Sequence, residues 1–420
     1  KERNSKATIA AYERALAISR RDPAAHAALA QEYERLHDLA RARTHAEQAL
    51  AGDPANEIAG LALAQALLRE KDFAGAEAAA LPVAKRAGGF QANQAIAWGV
   101  VGEARDRLDD AAGAFAAFTA ANRILREQHG HLLSATHLLY HPAGLARMTQ
   151  LVGDTDVAAW PAPPASFATP APVFLVGFPR SGTTLLDQIL SSHSRIVCIE
   201  EREHFAEALG EVIRDADKLA RFGMLSAEEI ETARAEYWRR VRAENTLPPD
   251  VLLVDKLPLN IVVLPLIKRV FPDAKVIFAL RDPRDVILSC CQQRFGMNAA
   301  MAQFLELSSA AAYYDAIMTL FDVCRQRLAL DLHEVRYEDV VADLESAARA
   351  LAAFLDLDYE AGMLDFNATA LKRDINTPSA RQVIQPLYNR SIGRWRRYGE
   401  QLEPVLPILT PWVERFGYEP

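Results

Sequence analysis

The sequence predicts two architectures in one chain. An all-α solenoid of helical repeats is expected over residues 1–150, and a three-layer, P-loop-like α/β domain with a mostly parallel sheet over residues 172–420. Three observations carry this. In the first third, alanine and aspartate recur at a spacing close to 34 residues. Five prolines, Pro161, Pro163, Pro164, Pro170 and Pro172, then crowd a short stretch, so residues 151–171 are expected to form a stiff, extended linker. Finally, residues 172–186, PVFLVGFPRSGTTLL, run from an apolar strand through a Gly-bounded turn into a helix.

The repeats come first. Ala42 and Ala76 lie 34 residues apart and Ala114 follows after 38; each stands four residues after an aspartate, Asp38, Asp72 or Asp110. Ala15-Leu16 recurs as Ala49-Leu50. One step earlier in the register stand only Asn4 and Thr8, so residues 4–16 read as the second helix of a unit whose first helix lies upstream of Lys1. The best-formed unit contains Leu29, Ala30, Tyr33, Ala42, Ala46, Ala49 and Pro54, and another contains Trp98, Val101, Gly102, Ala114, Phe118 and Ala121. A generic alanine-rich bundle is the plain alternative. With Trp-x-x-Val-Gly and Pro54 in register, the pattern resembles the tetratricopeptide repeat. There, small residues let paired helices approach and a proline ends the second. That resemblance implies a groove for a peptide or partner protein, and no chemistry in the array itself. Residues 131–151 read as one or two joining helices.

In the second domain the strand candidates are residues 173–176, the short extended run 195–199, 252–254, 275–280 and, more weakly, 332–335. Helical patterns separate them, which is the signature of a parallel sheet with helices on both faces. Ligands in such folds bind beyond the carboxyl ends of the strands. Composition narrows the partners. A formal charge of −8 argues against nucleic acid, whose phosphates demand clustered Lys and Arg. Cys198, Cys290, Cys291 and Cys324 show no paired spacing and read as free thiols of a reducing compartment. The longest apolar run, residues 257–267, is broken by Pro258 and Pro265, so no membrane span is expected. With no recognisable signal peptide, the cytoplasm of a bacterial-type cell is the expected compartment.

The turn after the first strand is a phosphate cradle. Gly177 and Gly182 bracket it, the following helix aims its N-terminus at it, and Arg180, Ser181, Thr183 and Thr184 add donors. The spacing is that of a P-loop, but Thr183 stands where the P-loop lysine belongs, which argues against ATP or GTP. Downstream, Arg281-Asp282-Pro283 ends a strand and opens a helix carrying Ser289. An arginine before Ser-Gly-Thr-Thr, followed about a hundred residues later by a strand-end arginine and a serine, resembles the sulfotransferases. These enzymes use 3′-phosphoadenosine-5′-phosphosulfate (PAPS). The resemblance implies that Arg180, Ser181, Gly182, Thr183 and Thr184 hold the 5′-phosphosulfate and that Arg281 and Ser289 hold the 3′-phosphate.

Over roughly residues 172–395 the chain is most similar to the protein-tyrosine sulfotransferases. Glu200-Glu201 follows a short extended run, and the match places their catalytic glutamate on Glu201. Lys256 in Lys-Leu-Pro and Ser379 in SARQVIQP match a lysine and a serine at the transferring group, where Arg180 also neutralises charge. Tyr337 corresponds to a tyrosine near the 3′-phosphate, and Arg390 lies in a segment resembling the family's lid. Glu203 departs from the pattern, standing where a basic residue is expected. Small-molecule sulfotransferases use a histidine base instead; His204 is the runner-up here, while His193 reads as packing. The implied reaction is an in-line displacement with Glu201 as base and no metal. A protein tyrosine, a carbohydrate hydroxyl and a small phenol all suit that machinery as acceptor. A macromolecular acceptor held by the repeats is expected, with buttressing or homodimer contacts as the other role of the array. The competing functions are a P-loop-like kinase or nucleotide hydrolase, and a repeat scaffold with an inactive transferase domain.

Overall fold

The computed structural model describes residues 2–162, 170–370 and 390–419, and the chain forms two compact units. The first comprises Lys1–His131 with Arg397–Gln401, the second Leu132–Arg396 with Leu402–Pro420.

In the first unit, helices α1 (Glu2–Ile18), α2 (Pro23–Arg35), α3 (Leu39–Gly52), α4 (Glu57–Arg69), α5 (Phe73–Ala84), α6 (Gln91–Arg107) and α7 (Ala111–His129) follow one another. The periodic aspartates are N-caps. Asp38, Asp72 and Asp110 accept the backbone N–H of Arg41, Gly75 and Gly113 at 3.1, 2.9 and 2.8 Å, opening α3, α5 and α7. Each follows a residue in the left-handed region: His37 (φ 64°), Lys71 (φ 66°) and Asp109 (φ 63°). One turn geometry therefore recurs three times. Four residues after each cap, Ala42, Ala76 and Ala114 are fully buried. A Cβ on Gly102 would meet the Phe118 ring at 2.7 Å, so α6 and α7 close on a glycine. The segment Arg397–Gln401 is tied in at Asp106, which accepts from the Tyr398 hydroxyl at 2.6 Å.

The second unit is built on five parallel strands, β1 (Val173–Gly177), β2 (Ile196–Glu200), β3 (Leu252–Lys256), β4 (Lys275–Leu280) and β5 (Asp331–Arg336), in the order β2-β3-β1-β4-β5. Every residue of the central β1 is buried, as its unbroken apolar run requires. Side chains alternate across it. Val173 and Leu175 join Leu186, Ile189 and Leu190 of helix α9 (Thr183–Ser191); helix α8 (Pro142–Asp154) precedes β1 in the chain. On the opposite face Phe174 packs against Phe205, Tyr237 and Phe271 at centroid distances of 5.7, 6.4 and 6.0 Å. At the edge, β5 buries only Val335, which explains its weak sequence signal.

Helix α8 belongs to the second unit. Beside it the Tyr313 hydroxyl donates to the Tyr140 carbonyl at 2.8 Å and Arg327 donates to the Gly153 carbonyl. The division between the units thus falls at His131, ahead of the proline-rich stretch rather than within it. The start of that stretch is anchored: Trp160 lies edge-on to Phe222 at 5.5 Å, and Arg269 donates to the Pro161 carbonyl at 2.8 Å. All four cysteines are buried and none forms a disulfide. Among the described residues no helix is long and apolar enough to cross a membrane.

Candidate active site

The parallel register brings five carboxyl ends to one edge of the sheet. Glu200 pairs with Lys256, Gly177 with Ala279, and Leu280 with Arg336. The residues that follow are the ones the sequence singled out: Glu201 after β2, Lys256 closing β3, the 178–182 turn after β1, Arg281 after β4 and Tyr337 after β5. Strand order sorts them. The carboxylate and lysine lie on one side of the turn, and the second arginine and tyrosine on the other.

The turn is held by both neighbours. The Arg180 backbone is left-handed (φ 73°), a conformation that costs a non-glycine residue about 1 kcal/mol or more. Its Nε donates to Ser289 Oγ at 3.0 Å, and its carbonyl accepts from Arg281 Nη1 at 3.1 Å. Two separate contacts thus fix the strained residue and join the turn to the β4 strand end and the helix that follows it. Gly182, also left-handed (φ 96°), caps α9, and a Cβ there would strike the Tyr337 ring at 2.8 Å. The same ring carries the Arg281 guanidinium 4.9 Å above its centroid. Ser181, Thr183 and Thr184 are buried beside the helix N-terminus.

Arg281 is itself braced. Its Nη2 donates to the Ser391 carbonyl, and Asp285 lies 3.9 Å away. Asp285 in turn accepts the backbone N–H of Gly393 at 2.7 Å and of Trp395 at 2.8 Å. Burial raises its carboxyl above the ordinary value, opposed by Arg281 and these two amides. Asp282 caps the helix Pro283–Gln292, as expected, by accepting from Arg284 N at 2.9 Å.

On the other side of the turn, Lys256 is fully buried and its Nζ donates to Glu201 Oε1 at 3.0 Å, while the Glu201 side chain is one-third exposed. The Glu201 N–H donates to the Lys256 carbonyl at 2.8 Å, and Glu201 is left-handed (φ 47°), turning its carboxylate back over the strand end. Asp255, the preceding residue, points to the opposite face. It accepts the Tyr237 hydroxyl at 3.0 Å, and burial pushes its carboxyl up to about 7 against the pull of Tyr237 and Lys256.

Arg180, Ser181, Gly182, Thr183, Thr184, Arg281, Ser289 and Tyr337 gather around the turn, and Glu201 with Lys256 forms a second group at the ends of the two strands on one side of it, β2 and β3. Arg390 stands exposed one residue before Ser391. Ser379 lies outside the described residues. His193 is a packing residue: its Nε2 bonds the Asp358 carbonyl at 2.9 Å and its Nδ1 accepts from Arg195 N at 3.1 Å. Sequence reading missed Gln188, which is buried and donates to Glu200 Oε1 at 3.2 Å, and Asp285, which gathers the 393–395 backbone. A polar pair at 187–188 inside an otherwise apolar helix was the available signal for the first.

The sequence pattern of the sulfotransferase family matches residues 172–361. An "uncharacterized protein" of Aquifex aeolicus (strain VF5) is 30% identical over 247 residues, 57% of this chain and 32% of that protein. The chain thus spans about a third of that relative. Protein-tyrosine sulfotransferase 1 of Danio rerio is 25% identical over 264 residues, 59% of this chain and 72% of the enzyme. Among solved structures, the sulfotransferase domain of the Synechococcus PCC 7002 olefin synthase aligns with a TM-score of 0.40 at 23% identity, covering 56% of this chain and 90% of that domain. The region that holds the Arg180 turn, the Glu201–Lys256 pair and the Arg281 strand end thus carries the sequence pattern of the sulfotransferase family.

Proposed function

We propose that the second unit transfers a sulfuryl group from PAPS to an acceptor hydroxyl, with Glu201 as the base. One observation carries the reading: a turn rich in anion donors and a carboxylate–lysine pair share one sheet edge, with one strand, β3, between the carboxylate's strand and the turn's.

The residues fit the donor. Arg281 Nε is buried with no hydrogen-bond partner, and the Gly182 backbone presses so closely on Tyr337 that no side chain could occupy the cradle. Ser181, Thr183, Thr184 and the α9 N-terminus would hold the 5′-phosphosulfate, and Arg281, Ser289 and Tyr337 the 3′-phosphate. When bound, PAPS supplies the transferable sulfuryl group. Glu201 then takes the proton of the acceptor hydroxyl, which for a phenol of pKa near 10 is easier than for an alcohol. Lys256, buried and fixed by Glu201, neutralises charge that builds on the departing oxygen, with Arg180 on the turn side. Ser379 is assigned a hydrogen bond there on the family resemblance alone. The names of the animal relatives support a protein tyrosine as acceptor. The helical unit is assigned as a tetratricopeptide-type array that holds such a macromolecule.

Calorimetry with adenosine 3′,5′-bisphosphate (PAP) tests the donor site. PAP should bind without added metal, and Arg281→Ala should weaken it about ten- to hundredfold, the worth of one charge-assisted contact. Glu201→Gln should leave PAP affinity near wild type while turnover falls by roughly 10²–10⁴. Unchanged PAP binding in Arg281→Ala would remove the site assignment.

A further inference from the structure

Arg281 is held at both of its terminal nitrogens. Nη1 donates to the Arg180 carbonyl at 3.1 Å, Nη2 donates to the Ser391 carbonyl, and the guanidinium carbon lies 4.9 Å from the centroid of the Tyr337 ring. Its Nε is buried with no hydrogen-bond partner among the described residues. Framed in this way, the side chain keeps Nε–H for an anion, and the frame decides where that N–H points.

The two carbonyls of the frame are secured differently. That of Arg180 belongs to the turn after β1. That of Ser391 belongs to a stretch outside the sheet, just ahead of the short 3-10 helix Arg394–Tyr398. Asp285 anchors this stretch. It is 2% exposed; its Oδ2 accepts the Gly393 N–H at 2.7 Å and its Oδ1 the Trp395 N–H at 2.8 Å, so both carboxylate oxygens are engaged. Arg284 adds a second tie: Asp282 accepts from it at 3.0 and 2.8 Å, and its guanidinium lies 3.9 Å from the Trp395 ring centroid. Asp285 Oδ2 stands 3.9 Å from Arg281 Nη2, beyond hydrogen-bond length. It therefore acts on that arginine through the 391–395 segment and through its charge.

We propose that Asp285 is a positioning residue for the 3′-phosphate of the donor: it fastens the 391–395 segment so that the Ser391 carbonyl keeps Arg281 aimed. The proposal rests on the reading of Arg281 as the 3′-phosphate ligand. Two effects of Asp285 compete. Its charge repels an anion held by Arg281, whereas its two hydrogen bonds pre-order the guanidinium before the nucleotide arrives. Two amides and the neighbouring guanidinium offset that charge, so the ordering is the larger effect.

The test is calorimetry of the full chain with PAP and with adenosine 5′-monophosphate, which lacks the 3′-phosphate. The ratio of the two affinities reads the 3′-phosphate contact alone; a variant that merely loosens the domain weakens both nucleotides and leaves the ratio unchanged. Asp285→Asn keeps one acceptor oxygen but sets an NH₂ group against the second amide. It should lower the ratio about three- to tenfold, the worth of ordering one long side chain. Gly393→Ala disturbs the same segment from a partly exposed position: its backbone is left-handed (φ 67°), and the added Cβ meets the end of the exposed Arg396 side chain. It should lower the ratio about threefold, and it decides the matter if Asp285→Asn does not fold. An unchanged ratio overturns the proposal. So does a raised ratio, the result expected if Asp285 acted only as a negative charge. Wild-type protein that binds both nucleotides equally, or Arg281→Ala with an undiminished ratio, instead overturns the 3′-phosphate assignment, and the proposal with it.

Discussion

The Glu201–Lys256 pair allows stability and activity to be separated. Lys256 has no exposed surface, and its ammonium is 3.0 Å from a carboxylate that is one-third exposed. At an effective dielectric constant of about 20, unit charges at that distance attract by roughly 5 kcal/mol, which offsets most of the several kcal/mol lost by burying the lysine. Glu201→Gln keeps the shape and a carbonyl acceptor but leaves the buried ammonium without a counter-charge. Fully buried pairs broken this way lose about 3–5 kcal/mol; water reaching Glu201 reduces the expectation here to about 1–3 kcal/mol. Lys256→Met removes the buried cation and fills its space with apolar atoms, so its stability should stay within about 1 kcal/mol of wild type. The double variant should regain most of what Glu201→Gln loses. Urea unfolding of the four proteins, followed by circular dichroism, gives the coupling energy, and turnover should be low in all three variants. A zero coupling energy, with Glu201→Gln as stable as wild type, would refute the reasoning that Glu201 holds Lys256 in its charged, buried position.

Further outcomes follow from single contacts. Asp255 has its carboxyl raised from 3.8 to about 7, so the folded state binds that proton more tightly than the unfolded chain. Its contribution is complete below the unfolded pKa and is lost as pH rises from about 4 through 7, by on the order of 4 kcal/mol at most. Asp255→Asn should therefore flatten the fall in denaturation midpoint between pH 5 and pH 8; an unchanged slope would assign it to other groups. Asp72→Ala removes the cap on Gly75 N and should destabilise the first unit by about 1 kcal/mol in urea, and Asp38→Ala and Asp110→Ala should act alike. Ser289→Ala frees the Arg180 side chain from its 3.0 Å contact and should weaken PAP binding in calorimetry by about three- to tenfold, less than Arg281→Ala.

The helices and strands were legible because their signals are local. The spacing of Asp38, Asp72 and Asp110 could be read as a repeat before any contact was known, since a cap and its helix lie within a few residues of one another. The β1 run and its turn were equally plain, because burial on both faces demands an unbroken apolar stretch. Family resemblance added Glu201 and Lys256, which no local pattern joins.

What only the tertiary structure decided is adjacency. Backbone hydrogen bonds are the same for any pair of parallel strands, so nothing local records the order β2-β3-β1-β4-β5. That order puts Lys256 against Glu201, 55 residues away, and Arg281 against the Arg180 carbonyl, 101 residues away. The left-handed backbones of Arg180 and Glu201 are likewise unreadable from residue type, because neighbouring strands, not intrinsic preference, hold them there. Residue chemistry named the donors of the turn, and family resemblance the proposed base; long-range packing chose their partners, since strain and burial are settled only when distant parts of the chain meet.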